Sequence, residues 1–284
     1  MLLDLLLNVY RKIDKHRVLF PKPVRKQFDI NGITMYGDMI DPGFMVYPKH
    51  YDETVNNFYK LVAQNFNPDL VIDIGANYGF VSCIMAQYQK NALYIAIEPN
   101  KRVFPFLCQN LKANVDRYST RNAVCGDSIK NEVDFYLNPR GSQDSRVIGK
   151  IGWKKQVIPQ IKIDSLIAET EFKVFIKTDT QGYEKFVYDG GKMFFDHSDK
   201  WLMRMEFCPV LFRHHDTDTI AFLIDLISKY DVVEIRSPQY NAPSLDYLFA
   251  NPLSKYDAFN FITYVNALKE GNIGWTDILI RPKK

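Results

Sequence analysis

The stretch Val71-Ile72-Asp73-Ile74-Gly75-Ala76-Asn77-Tyr78-Gly79-Phe80 puts a carboxylate at the end of a short apolar run and two glycines in the turn before a helical pattern. Such a turn lets backbone approach a ligand closely, at the end of the strand where open α/β sheets bind ligands. Two cofactor classes use this arrangement, nicotinamide or flavin dinucleotides and S-adenosylmethionine, and spacing separates them. A dinucleotide fingerprint needs glycine at its first, third and sixth positions. Counting from Gly75, the third position is Asn77 and the sixth Phe80, so the fingerprint fails twice. Charge points the same way. Asp73 just before the turn would repel a pyrophosphate, whereas it suits the ammonium group of a methionine-type ligand.

Outward from this turn, apolar runs and helical spacing alternate. Leu70–Ile74 and Leu93–Ile97 read as buried strands, with helices over 80–89 and 103–115, the second tolerating Pro105 in its first turn. Further strands are expected at 121–125, 132–137, 173–178, 201–206, 231–235 and 277–281, and helices at 182–195 and 217–229. Strands alternating with helices argue for a parallel sheet covered on both faces. Before the turn, Asn31-Gly32 signals a hairpin, Asp41-Pro42-Gly43 a turn, and 52–65 a capped helix ended by Asn67-Pro68-Asp69.

Two more acids sit at expected strand ends. Glu98, in Ile97-Glu98-Pro99, lies roughly 20 residues beyond the glycine turn, the position from which a carboxylate accepts hydrogen bonds from ribose hydroxyls. Asp127, after Val124-Cys125-Gly126, could accept from an adenine amino group. With Gly75, Ala76, Asn77 and Gly79 of the turn, Asp73, Glu98 and Asp127 form the expected cofactor set.

Together with the glycine turn and Ile97-Glu98-Pro99, the runs Ile163-Asp164-Ser165-Leu166 and Ile176-Lys177-Thr178-Asp179-Thr180-Gln181-Gly182-Tyr183-Glu184 resemble the FkbM family of S-adenosylmethionine-dependent methyltransferases over residues 50–235. Many members carry Glu where this chain has Gln181. The resemblance implies a Rossmann-like class I methyltransferase fold, a mostly parallel seven-stranded sheet with an antiparallel last strand, and O-methylation, often of sugar hydroxyls in glycans or secondary metabolites. The organisation expected is an N-terminal helix and hairpin extension over 1–50, then a methyltransferase domain over 51–284 with an insertion around 238–275.

A sugar hydroxyl is a poor nucleophile and needs help to lose its proton. Asp179 and Glu206, at the ends of two strands, should point into the crevice above the sheet, where either could be the base or both could hold a divalent cation. His214, in the run His214-His215-Asp216, is a third catalytic candidate, the alternative being a solvated loop and helix cap. Lys177 is read as structural, its side chain alternating away from the neighbours of Asp179. Substrate contacts are expected from loops at 138–160 and 237–259, the latter carrying Pro238, Tyr240, Tyr247, Phe249 and Tyr256.

Composition sets the outer bounds. The 284 residues are 46% hydrophobic and 24% charged with net charge +3, which excludes collagenous and disordered classes. Cys83, Cys108, Cys125 and Cys208 have no paired spacing, so a reducing cytoplasm is the expected location. A nucleic-acid partner is not expected. The acidic-Pro-Pro-aromatic run of amino-group methylation is replaced here by Asp179-Thr180-Gln181-Gly182. Residues 1–26 combine Leu2, Leu3, Leu5, Leu6 and Leu7 with seven basic residues against two acidic ones. This stretch is too short to span a bilayer and lacks signal-peptide features, and could lie on an anionic membrane surface or pack on the domain.

Overall fold

A computed structural model describes residues 22–50, 53–167, 171–268 and 273–283. Most of the basic amphipathic segment expected over 1–26 therefore lies outside the described residues. A hairpin of β1 (Arg25–Ile30) and β2 (Ile33–Asp38) leads to α1 (Pro42–His50) and α2 (Glu53–Asn65). The chain then alternates through β3 (Leu70–Ile74), α3 (Phe80–Tyr88), β4 (Leu93–Ile97), α4 (Phe104–Asn114) and β5 (Tyr118–Arg121). Three strands follow, β6 (Val124–Cys125), β7 (Glu132–Leu137) and β8 (Lys154–Ile161), then β9 (Val174–Thr178), α5 (Glu184–Asp189) and α6 (Lys192–His197). The remainder is β10 (Trp201–Phe207), α7 (Pro209–His214), α8 (Thr219–Lys229), β11 (Tyr230–Ile235), α9 (Leu245–Leu248), α10 (Ala258–Ala267) and β12 (Thr276–Pro282).

Seven strands form one sheet in the order β11-β12-β10-β9-β3-β4-β5. β12 is antiparallel to both neighbours, whereas β10, β9, β3, β4 and β5 run parallel. This is the parallel arrangement expected from the alternation, and the Rossmann-like seven-stranded sheet with an antiparallel last strand that the FkbM resemblance implies. Strands buried on both faces read as continuous apolar runs, and alternate residues divide between two cores. Val71, Phe175, Leu202 and Leu279 join the cluster under α2, α3 and α4, while Ile72, Ile176, Met203 and Ile280 join that under α5, α6, α8 and α10.

Several boundaries depart from the sequence reading. The sheet strand expected at 121–125 is β5, at 118–121; Val124 and Cys125 belong to a second, three-stranded sheet with β7 and β8. β8 takes the last third of the stretch expected to be a substrate loop at 138–160, because Lys154-Lys155-Gln156 and Pro159 hide its alternation, while Ser142, Gln143, Asp144, Ser145 and Val147 of that stretch reach the cavity at the carboxyl end of the sheet. The helix expected over 182–195 is broken at Gly190-Gly191, where a Cβ on Gly190 would stand 2.0 Å from the Gly126 carbonyl oxygen. Pro42, read as part of a turn, instead opens α1, with Asp41 Oδ1 accepting from Gly43 N at 3.0 Å.

The hairpin is stitched to the sheet layer beside the glycine turn. Asn110 of α4 accepts from Tyr36 N at 2.7 Å and donates to Tyr36 O at 2.9 Å and Tyr78 O at 2.8 Å. Tyr78 in turn donates to Asp41 Oδ2 at 2.8 Å, which seats the start of α1 over that turn. Among the described residues, no helix is long and apolar enough to cross a membrane.

Candidate active site

The carboxyl ends of β3, β4, β9 and β10 open into one cavity of about 600 Å³, within the ~300–1,000 Å³ typical of ligand sites. Its near half is built by the glycine turn. Gly75 has φ +70°, and a Cβ there would lie 2.0 Å from the Asp179 carbonyl oxygen, so the turn and the segment after β9 are in backbone contact. The amides of Gly75 and Ala76 both donate to Ile97 O at 3.0 Å. Glu98 accepts from Asn77 N and from Asn100 N, each at 2.7 Å, and its carboxylate lines the cavity. Burial pushes its pKa up to about 7 against the pull of those two amides and of Lys177. Ala123, Val124, Cys125 and Phe135 continue the wall as an apolar slot.

Asp73 does not reach this space. It is fully buried, accepts from Ser82 Oγ at 2.7 Å and faces Lys177 Nζ at 3.6 Å. Lys177, read from the sequence as structural, is in the cavity floor. Its Nζ donates to Gly75 O at 3.0 Å and stands 3.7 Å from Asp179 Oδ2, so it joins the turn to the strand end beside it. Gly79 is also outside the cavity wall. Its Cβ position is filled by Leu107 and Leu111, which makes it a packing glycine.

Asp179 and Glu206 do come together. Gln181 donates from Nε2 to Asp179 Oδ1 at 3.0 Å and to the two Glu206 oxygens at 3.2 and 3.1 Å. Gln181 and Gly182 have φ +58° and +102°, and this left-handed pair folds the amide back between the carboxylates. Glu184 braces the bend by accepting from Thr180 N at 2.6 Å and Gly182 N at 3.0 Å, and burial pushes its pKa up to about 7. Glu206 is 9% exposed. Burial first, then the charges of Asp179, Glu184 and Asp277, hold its pKa well above the usual carboxylate range. The pair does not fit a divalent cation: a protein amide fills the space between the carboxylates, and no cluster of three or more acidic, His or Cys ligands occurs among the described residues.

The other expected site residues are elsewhere. His214 is an exposed residue in the last turn of α7 and is not in the cavity wall; burial and the charges of Arg146, Lys150 and Arg213 lower its pKa. Asp127 follows β6 of the second sheet, where Oδ1 accepts from Ile129 N at 3.2 Å, and is likewise outside the cavity wall. Of the rings expected from 237–259, Tyr240 and Phe249 are core residues while Tyr247 and Tyr256 are exposed, and none lines the cavity. The far wall is formed by Tyr59, Arg204, Trp275 and Asp277, which belong to no motif legible in the sequence.

A family model described as the methyltransferase FkbM domain matches residues 73–231, just over half of the chain. The chain belongs to the FkbM methyltransferase family. The FkbM match covers the glycine turn, Glu98, the 179–184 bend and Glu206 in one span, so this FkbM protein is an S-adenosylmethionine-dependent methyltransferase. No curated protein matches the chain. Among solved structures, M. jannaschii TYW2 in complex with AdoMet is similar at 12% identity, covering 92% of this chain and 86% of that one with a TM-score of 0.43. The plantazolicin methyltransferase BpumL in complex with SAH is similar at 12% identity, 86% and 91% coverage and a TM-score of 0.40. A putative rRNA-methylase from Clostridium thermocellum gives 10%, 81% and 96%, and 0.44. Likenesses of this order add nothing to the family match.

Proposed function

We propose that this FkbM-family enzyme O-methylates a sugar hydroxyl of a glycan or glycosylated metabolite, with Glu206 as proton acceptor. The Gly75–Asn77 turn would hold the methionine portion of the cofactor, Glu98 the ribose hydroxyls, and the slot at Ala123, Cys125 and Phe135 the adenine. Asp179, the carboxylate beside the turn that does reach the cavity, takes the place expected of Asp73 in meeting the ammonium group. Asp73 acts from behind, through Lys177. S-adenosylmethionine supplies a methyl group on a cationic sulfur, which departs as the neutral thioether when the hydroxyl oxygen takes the methyl.

The observation that carries this reading is Glu206. It is buried at the end of β10, in the cavity that the glycine turn also lines, and its neighbours raise its affinity for a proton. A carboxylate whose surroundings raise its proton affinity is a stronger base than a solvated one and is suited to accept the hydroxyl proton, an effect worth ~10²–10⁴-fold. Asp179 and Gln181 orient it. Mass spectrometry of glycans and lipid-linked intermediates from cells with and without the gene tests the acceptor class. A glycan lighter by one methylene unit in the deletion is expected. Unchanged glycans beside a lost methyl group on nucleic acid or another small molecule would overturn it.

A further inference from the structure

The far wall of the cavity carries polar atoms that the proposed chemistry does not use. Arg204 is held against the faces of Phe58, Tyr59 and Tyr240 at 5.5, 5.5 and 5.6 Å. It donates to the hydroxyls of Tyr59 and Tyr240 and, at 2.5 Å, to Asp277 Oδ2. That leaves Asp277 Oδ1 with no hydrogen-bond partner among the described residues, on a residue 8% exposed that lines the cavity. That oxygen is not sealed from solvent, so on a residue of the cavity wall it remains available to accept from a ligand's donor. Two residues earlier, just before β12, the half-buried Trp275 lines the same cavity, and its Nε1 likewise has no partner among the described residues.

Register places the reacting end next to these groups. Asp277 stands directly opposite Glu206 in the antiparallel pairing of β10 with β12. Like charges directly opposite destabilise a sheet. Here each is held apart from the other by its own donor, Arg204 for Asp277 and Gln181 for Glu206. The result is two carboxyls side by side in the cavity wall. The cavity is acidic overall, with five carboxyl residues and two basic ones in its wall. Both basic side chains are already engaged, Lys177 between Asp73 and Asp179 and Arg204 on Asp277, so neither is left for an anionic acceptor.

We propose that Tyr59, Arg204, Trp275 and Asp277 form an acceptor subsite for an uncharged vicinal diol, with Trp275 under the sugar ring and Asp277 Oδ1 accepting from the hydroxyl next to the one that faces Glu206. The subsite rests on the sugar-methylation reading and narrows it. Sugar phosphates, uronates and nucleic-acid backbones are excluded by charge.

The test measures S-adenosylhomocysteine release by the full-length enzyme on a panel of neutral methyl hexosides and 6-deoxyhexosides, their monodeoxy analogues, and the matching uronates and phosphates. Neutral diols are expected to turn over, and removing the neighbouring hydroxyl should lower kcat/KM roughly 10- to 100-fold, the worth of one hydrogen bond to a charged group. In Asp277→Asn that ratio should collapse towards one, with cofactor affinity by calorimetry unchanged. Because Asp277→Asn also loosens Arg204, Trp275→Leu is the second variant, expected to raise KM for the neutral sugars with the same cofactor affinity. An anionic sugar preferred over its neutral parent, or a wild-type enzyme indifferent to the missing hydroxyl, overturns the subsite and leaves the sugar reading standing. Cofactor binding without turnover of any sugar in the panel overturns both.

Discussion

Glu206 is a buried carboxyl whose ionised form works against the fold. Burial and the neighbouring acids raise its pKa in the folded chain. The folded protein therefore loses stability as pH climbs past the usual carboxylate range, and carries the full penalty above the raised pKa. A neutral amide removes that penalty. Glu206→Gln is expected to melt higher in scanning calorimetry, by roughly 2–4 °C for each kcal/mol recovered, and to turn over roughly 10²–10⁴-fold more slowly for want of its proton acceptor. A lower melting temperature would mean that the fold needs the carboxylate. Glu206 was legible because an acid ending an apolar strand is a local signal. Lys177 was not, since its meaning lies in partners on two other segments. A trace was nevertheless present: the fourth residue of three apolar strands is charged, Asp73 in β3, Lys177 in β9 and Arg204 in β10, and parallel register sets the three side by side.

The glycine turn was readable at the scale of one element because its parts are contiguous: a five-residue strand that is apolar apart from Asp73, a turn, and a helix. Its tolerance for substitution depends on something sequence does not show, the approach of the segment after β9. A left-handed alanine costs ~1–2 kcal/mol, and at Gly75 its methyl would also meet the Asp179 carbonyl oxygen, a backbone atom that cannot swing aside. Gly75→Ala is expected to lower the unfolding free energy from urea titration by at least the left-handed penalty and to abolish cofactor binding measured by calorimetry. Native-like affinity in this variant would show that the turn is not the cofactor's cradle. β8 and the α5/α6 break were less legible for related reasons. β8 is a half-exposed strand whose lysines and proline mask its period, and the break at Gly190 is imposed by the Gly126 carbonyl from a different sheet.

Across the whole molecule, two apolar clusters hold the sheet while the charged groups gather at its carboxyl end, so the pH response of the fold is set largely by its site. Glu98 and Glu184 are pushed up to about 7 by burial, and Glu206 is raised as well. Each binds its proton more tightly folded than unfolded, so each adds stability as pH falls through its folded pKa. His214 and His215 act in the opposite sense. Burial lowers both, His215 to about 4, and the folded chain loses stability once unfolded imidazoles begin to protonate near pH ~6.5. Between pH 8 and 6.5 Glu98 and Glu184 take up protons in the folded chain, which contributes roughly 1 kcal/mol apiece and outweighs the first protonation of unfolded imidazoles. Urea midpoints should therefore rise from pH 8 to 6.5 and level off below, as the histidines oppose the remaining gain. Turnover should fall as pH drops through the raised pKa of Glu206, because Glu206 must be ionised to accept a proton. Midpoints that drop together with turnover would mean that the buried carboxylates stabilise the fold in their charged form, and the proton-acceptor role of Glu206 would lose its physical basis.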